Sequence, residues 1–214
     1  MRVEDLLASA RAWIFDFDGT LVDSNSIKAS AFALCFEGLT RGREEALAYC
    51  YANPHVTRSE KFRHVVEKIL RAPYTLEVEK DLHRRFEAAT TRQIIEAPAI
   101  PGAEAFLLKG RSGRLCGILS STPQEILAQL LEFRGWDRLF DVVQGAPVRK
   151  AGWLSAFQAE RGFKPEEVLY FGDQPEDADA ASEAGCGFIG LRNPLLRSRG
   201  VAYWKDFTDE ERVS

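Results

Sequence analysis

Two aspartates separated by one residue, Asp16 and Asp18, close a short apolar run and are followed at once by Gly19 and Thr20. A carboxylate in such a place can attack phosphorus and divide one hard displacement into two easier steps. A second carboxylate beside it can protonate a leaving oxygen and later activate water. Gly19 permits the sharp turn that brings backbone amides close to a phosphate. Four further groups of polar residues end apolar runs elsewhere in the chain: Ser120-Ser121-Thr122, Arg149-Lys150, Gly172-Asp173 and, four residues beyond Asp173, Asp177.

Gathered in one place, these acids repel one another unless a divalent cation sits among them. An all-oxygen set with few ligands per segment suits Mg²⁺, which keeps waters and takes the rest of its shell from a substrate phosphate. Lys150 then balances charge and grips the phosphoryl group, and Ser120 donates a hydrogen bond to one of its oxygens. Each residue taken singly has a plainer reading. An Asp-x-Asp pair forms turns, Lys150 suits a solvated surface, and Asp177 suits the first turn of a helix. Thr122, followed by Pro123, reads as the cap of a helix whose first residue is that proline. The shared position of all these groups at strand ends favours the chemical reading.

The elements that must position them follow from periodicity. Residues 12–16 form a short buried strand. From 102 onward helices and strands alternate: a helix near 103–110, strand 115–119, a helix from about Gln124 that stops before Gly135, strand 141–144, a helix over 151–161, strand 168–171, a helix over 176–184 and strand 187–191. Apolar strands separated by helices build a parallel sheet covered on both faces, an α/β Rossmann-like core. Ligands of such sheets sit beyond the carboxyl ends of the strands. Between strand one and the rest lies a mostly helical stretch, with an apolar face at Phe62, Val65, Val66, Ile69 and Leu70 and a later helix capped by Thr75. The run Ala97-Pro98-Ala99-Ile100-Pro101-Gly102 breaks that pattern and marks a boundary. The expected organisation is a core of residues 1–22 and 98–214 with an inserted α-helical domain over 23–97. An edge strand is expected near 201–203.

Composition bounds the rest. The 214 residues carry 28 basic and 32 acidic side chains, a net charge of −4, so no overall field attracts nucleic acid or an anionic membrane. No segment approaches the ~20 apolar residues that span a bilayer, and the acidic N-terminus is no signal peptide. Cys35, Cys50, Cys116 and Cys186 form no C-x-x-C pair and read as buried thiols of a cytoplasmic protein, a monomer or homodimer.

With these residues in view, the chain resembles the haloacid dehalogenase superfamily. The resemblance rests on Asp16-Phe17-Asp18-Gly19-Thr20-Leu21-Val22-Asp23-Ser24, on Ile118-Leu119-Ser120, on Lys150, and on Gly172-Asp173-Gln174-Pro175-Glu176-Asp177 followed by Ala180-Ala181-Ser182-Glu183-Ala184-Gly185. It implies a Rossmann-like core with a helical cap, and Mg²⁺ held by Asp16, the Asp18 carbonyl and Asp173; Asp177, in the fourth motif, is the further candidate metal residue. Branches that cleave carbon–halogen or carbon–phosphorus bonds, and the ion-pumping ATPases, lack an aspartate at the position of Asp18. Its presence points to phosphatases and phosphomutases, and the insertion resembles the phosphoglycolate phosphatase and β-phosphoglucomutase group. One departure is that Lys150 is followed by Ala151-Gly152 where many relatives carry proline, and Arg149 precedes it; the point-like ammonium of Lys150 suits the role better.

The expected activity is Mg²⁺-dependent hydrolysis of a small phosphorylated metabolite. A phosphomutase is the alternative, and an idle binding protein with the same fold a third. Specificity is expected from Ser121 in the core, from Asn25 and Lys28 at the root of the insertion, and from Arg58 and Lys61, three residues apart on one helix face, which would meet a second anionic group. His64 reads as a solvated residue of the same helix.

Overall fold

The computed structural model describes residues 3–53, 56–110 and 113–212. It divides into two compact units, residues 1–23 with 97–214, and residues 24–96. Helix α1 (Val3–Ser9) leads into strand β1 (Ala12–Phe15). The chain then forms the helical unit: α2 (Asn25–Cys35), α3 (Arg43–Ala52), α4 (Arg58–His64) running on into a π-helical turn (Val65–Ile69), and α5 (Leu76–Glu96). It returns through α6 (Ala103–Gly110), β2 (Leu115–Pro123), α7 (Gln124–Phe133), β3 (Val142–Ala146), α8 (Lys150–Arg161), β4 (Val168–Gly172), α9 (Pro175–Ala184), β5 (Gly187–Leu191), α10 (Pro194–Ser198) and β6 (Ala202–Trp204).

The six strands are all parallel, in the order β3-β2-β1-β4-β5-β6. β1 therefore lies between β2 and β4, where the winding direction reverses and a crevice opens at the strand ends. Side chains alternate across β1. Ala12 and Ile14 pack in a core with Leu154 and Phe157 of α8 and Ala181 of α9. Trp13 and Phe15 face the other way into an aromatic layer, Trp13 stacked on Phe106 at 4.5 Å and Phe15 on Phe171 at 4.7 Å. Asp16 continues the even series and so falls on the side of α8 and α9. The alternation of core residues is thus what aims the first carboxylate.

Several boundaries differ from the sequence expectation. The edge strand falls at 202–204, and β3 runs on to Ala146. Helices α1 and α10 were not foreseen; each is short and buries one leucine, Leu6 and Leu196, too few apolar residues to show a period. In the helical unit, Phe62, Val65 and Val66 are buried, but the α pattern breaks after His64. Leu70 N donates to Val65 O and Ala72 N to Val66 O, each at 2.9 Å. Thr75 does cap α5, accepting from Val78 N through its Oγ1 at 3.3 Å. Among the described residues no helix is long and apolar enough to cross a membrane.

Candidate active site

The turn after β1 is set by backbone bonding. Asp16 N donates to Phe171 O at 2.8 Å, which extends the pairing with β4 by one residue. The chain then folds back, with Gly19 N donating to Val22 O at 2.8 Å and Gly19 at φ +78°, a value that side-chain-bearing residues rarely adopt. Asp16 Oδ1 accepts from Phe17 N at 2.8 Å, which fixes the carboxylate against the turn. Asp16 and Asp18 are both buried, at 6% and 8% exposure.

Strand β2 supplies the next group. Its pairing with β3 is regular to Leu119↔Gln144 and resumes at Pro123↔Ala146, so Ser120, Ser121 and Thr122 stand against Gly145 alone. Within this bulge Ser120 and Thr122 are buried while Ser121 is exposed. Thr122 N donates to Ser120 Oγ at 3.1 Å, and Thr122 Oγ1 donates to Asp18 Oδ2 at 2.7 Å. Thr122 does not take the helix-capping role expected of it. The cap position of α7 belongs to Pro123, with no side-chain cap bond, because the bulge turns the Thr122 hydroxyl inward to Asp18.

Lys150 opens α8, and its ammonium lies 2.7 Å from Asp177 Oδ1 and 3.3 Å from Asp16 Oδ1. Arg149 points away and pairs with exposed Glu183 at 2.5 Å. Asp177 sits in the first turn of α9, where its Oδ2 accepts from Gln174 N at 3.0 Å. Its Oδ1 also accepts from the buried Tyr170 hydroxyl at 2.9 Å. Gly172 is required here: a Cβ on it would lie 2.5 Å from Asp177 Cβ. Asp173 takes hydrogen bonds from Thr20 Oγ1 at 3.4 Å and from the Gln174 side chain, while Asn193 Nδ2 donates to its carbonyl at 2.9 Å.

Asp16, Asp173 and Asp177 each place one carboxylate oxygen within 4.8 Å of the others. Burial, and then the neighbouring carboxylates Asp177, Asp173 and Asp18, outweigh the attraction of Lys150 and push the Asp16 carboxyl up to about 8. Burial disfavours the Lys150 ammonium, but Asp16 and Asp177 together more than offset it and hold its pKa above the ordinary lysine value. Burial, reinforced by Asp177, raises Tyr170 well above the ordinary tyrosine range, so it stays a neutral donor.

The structure therefore brings Asp16, Asp18, Ser120, Lys150, Asp173 and Asp177 to one edge of the sheet, with Ser121 exposed beside them. Thr20, Tyr170, Gln174 and Asn193 complete the network and carried no assigned role in the sequence reading, while Thr122 joins it through Asp18 in place of the capping role expected of it. Tyr170 did carry a signal, as the one hydroxyl in the apolar run of β4, since a buried tyrosine needs a partner.

Asn25, Lys28, Arg58 and Lys61 lie in the helical unit. Asn25 begins α2 and is exposed; Lys28 is half-buried one turn on. Arg58 pairs with Glu87 at 3.2 Å and lies over the Phe86 ring. Lys61 is buried, with its ammonium 5.1 Å from the centre of the Phe32 ring. The two cations thus rest on neighbouring rings of one aromatic cluster, Phe32 and Phe86 being 5.0 Å apart, rather than on a solvated helix face. His64 stacks on Tyr49 at 3.8 Å.

A parallel sheet with this crevice, an aspartate pair after the first strand, a lysine and a later acidic loop define a class. The family model described as haloacid dehalogenase-like hydrolase matches residues 13–191, and the chain belongs to that family. Within it the chain falls in the phosphoglycolate phosphatase and β-phosphoglucomutase-like group. It is 34% identical over 185 residues to the phosphoglycolate phosphatase of Synechococcus elongatus, covering 82% of this chain and 80% of the relative. Among solved structures it resembles one from Haemophilus somnus described as a predicted phosphoglycolate phosphatase, with TM-score 0.74, 20% identity, and 96% and 98% of the two chains covered. It also resembles CbbY from Rhodobacter sphaeroides in complex with phosphate, with TM-score 0.73, 20% identity, and 94% and 96% covered.

Proposed function

We propose that this chain is a Mg²⁺-dependent phosphatase that hydrolyses a small phosphorylated metabolite, a phospho-carboxylic acid or sugar phosphate, through a phospho-aspartate intermediate. Its class, a hydrolase of phosphate esters, follows from its family and its named relatives. The observation that carries the finer reading is the buried cluster of Asp16, Asp173 and Asp177 facing Lys150. Three carboxylates against one ammonium leave negative charge in excess, and an oxygen-only set of this kind fits a hard divalent cation. Asp16 and Asp173 would hold it together with the Asp18 carbonyl that the family resemblance implies. Asp177 joins that set and also anchors the Lys150 ammonium. Bound there, Mg²⁺ supplies charge stabilisation for phosphoryl oxygens.

The chain's own groups divide the remaining work. Asp16 Oδ1 is occupied by Phe17 N and Lys150, which leaves Oδ2 as the attacking atom. It forms a bond to phosphorus as the ester oxygen departs, and Asp18 gives its proton to that oxygen. In the second half, Asp18 takes a proton from water, the water oxygen bonds to phosphorus, and the bond to Asp16 breaks. Lys150 and Ser120 hold the phosphoryl oxygens throughout. Ser121, Asn25, Lys28, Arg58 and Lys61 are our candidates for recognising the rest of the substrate. The free thiols Cys35, Cys50, Cys116 and Cys186 support a reducing, cytoplasmic setting.

The test is release of inorganic phosphate from a panel of phosphorylated metabolites with Mg²⁺. Phosphoglycolate, the substrate named for the Synechococcus elongatus relative, comes first. Turnover that Asp16→Asn abolishes supports the reading. Isomerised product with little phosphate would make the enzyme a mutase, and no turnover with Mg²⁺, Mn²⁺ or Co²⁺ would end the proposal.

A further inference from the structure

We infer that Thr122 is a positioning residue for the acid–base group: its hydroxyl fixes the Asp18 carboxyl group in the orientation from which its proton passes to the leaving-group oxygen. The inference rests on the phosphatase reading above and assigns a role to a residue outside the motifs that define the family resemblance.

Three observations carry it. The Thr122 hydroxyl lies 2.7 Å from Asp18 Oδ2, and both side chains are buried, at 5% and 8% exposure. A hydrogen bond to a carboxylate in such a place is among the stronger ones. The hydroxyl has no local use in helix capping, since α7 is capped at Pro123 without a side-chain bond. The third observation is that the backbone around Thr122 is locked. The bulge in β2 packs against Gly145, where a Cβ would lie 2.6 Å from Thr122 O and from Gln124 Cα. A β-branched side chain on a fixed backbone has little χ1 freedom, so Oγ1 is held where Asp18 needs it.

The same residue also links the two halves of the site. Thr122 N donates to Ser120 Oγ at 3.1 Å. That bond uses a lone pair of the serine oxygen and leaves its O–H free for a phosphoryl oxygen. Thr122 thus orients one donor to the phosphate through its backbone and the proton donor to the leaving group through its side chain.

Leaving-group dependence gives a readout that a general loss of structure does not produce. An acidic phenol departs without a proton, whereas an alcohol departs only with one. Thr122→Val keeps the shape and removes the hydroxyl. With Mg²⁺, kcat/KM for an alkyl ester such as glycerol 2-phosphate should fall on the order of 10- to 100-fold further than kcat/KM for p-nitrophenyl phosphate, within the range general acid catalysis contributes. Thr122→Ser, which restores the hydroxyl, should recover most of the difference. On an Asp18→Asn background, Thr122→Val should cost nothing further on the aryl ester, since the two act as one unit. Equal losses on both esters, or independent losses in the double variant, overturn the role of Thr122 and leave the phosphatase reading intact. Failure of the unmodified enzyme on both esters overturns that reading and this inference with it.

Discussion

The Lys150 ammonium and the Asp177 carboxylate stand 2.7 Å apart, joining the first residue of α8 to the first turn of α9. The pair is nearly out of solvent, at 15% and 1% side-chain exposure. Asp177 Oδ1 is held from a second side by Tyr170, so the ammonium has a fixed seat against Asp16 rather than a mobile one. Under the proposed mechanism, stability and catalysis depend on the same contact.

Lys150→Met keeps the aliphatic stem and deletes the charge. The buried cluster of Asp16, Asp173 and Asp177 is then left without its cation, and breaking a buried pair in this way costs about 3–5 kcal/mol. Chemical denaturation should show that loss, with part of it recovered when Mg²⁺ is added. Steady-state assays should show kcat/KM down on the order of 10²- to 10³-fold. Lys150→Arg should not rescue activity, because a planar fork cannot occupy the seat of a point charge.

Tyr170→Phe removes only a hydroxyl, from a side chain whose ring already lies 5.7 Å from the Lys150 ammonium. The Asp177 oxygen loses one of its two donors, and the expected cost is about 1–2 kcal/mol in denaturation midpoint analysis. Activity should fall less than in Lys150→Met, since the ammonium stays. A loss as large as that of the lysine variant would mean that Tyr170 touches substrate.

Much of this arrangement was legible in the sequence. Asp16 and Asp173 could be placed because each terminates an apolar strand, and the helical spacing that gives α7 and α9 is strong. Lys150 carried a further sign: it begins a helix with no acid in its first turn, a placement that local electrostatics disfavours. Other features depend on tertiary geometry. The inward turn of Thr122 follows from a bulge whose partner, Gly145, is far away in sequence. The seat of Lys61 against the Phe32 ring depends on a residue of another helix, 29 positions away. The π-helical turn at 65–69 arises from backbone bonding that apolar spacing does not encode.

Gly172→Ala tests whether β4 and α9 must approach as closely as they do. The new methyl would lie 2.5 Å from Asp177 Cβ and Oδ2, so Asp177 has to move, at about 1–3 kcal/mol. Gly152→Ala is the control. Its Cβ would meet nothing within 4 Å, and the substitution should stabilise α8 by about 0.5–1 kcal/mol. Thermal melts of the two variants should move in opposite directions, and only Gly172→Ala should weaken the response to Mg²⁺.

Lys61→Ala addresses specificity. Burial, the largest influence, lowers the Lys61 pKa below the ordinary lysine value, which marks an ammonium short of compensating charge. If it meets an anionic group of the substrate, the variant raises KM for the physiological ester and changes p-nitrophenyl phosphate little. Equal effects on both would assign Lys61 to packing against Phe32 alone.

The Asp16 carboxyl predicts how metal binding responds to pH. Its pKa is pushed from 3.8 up to about 8, first by burial and then by Asp177, Asp173 and Asp18, with Lys150 opposing. Between those values the folded protein without metal holds a proton that the unfolded chain has lost. Raising pH through that window therefore removes stability from the metal-free protein. A divalent cation needs the carboxylate ionised, so its binding releases this proton. The apparent affinity for Mg²⁺ should tighten by up to about tenfold per pH unit below pH ~8 and level off above it. Calorimetric titration in buffers of different ionisation heat should count close to one proton released at pH ~6.5 and fewer at pH ~8.5. The gain in melting temperature on adding Mg²⁺ should grow across the same range. An affinity that does not change with pH there would mean that Asp16 is already ionised before the metal arrives, with Lys150 and not the cation carrying its charge.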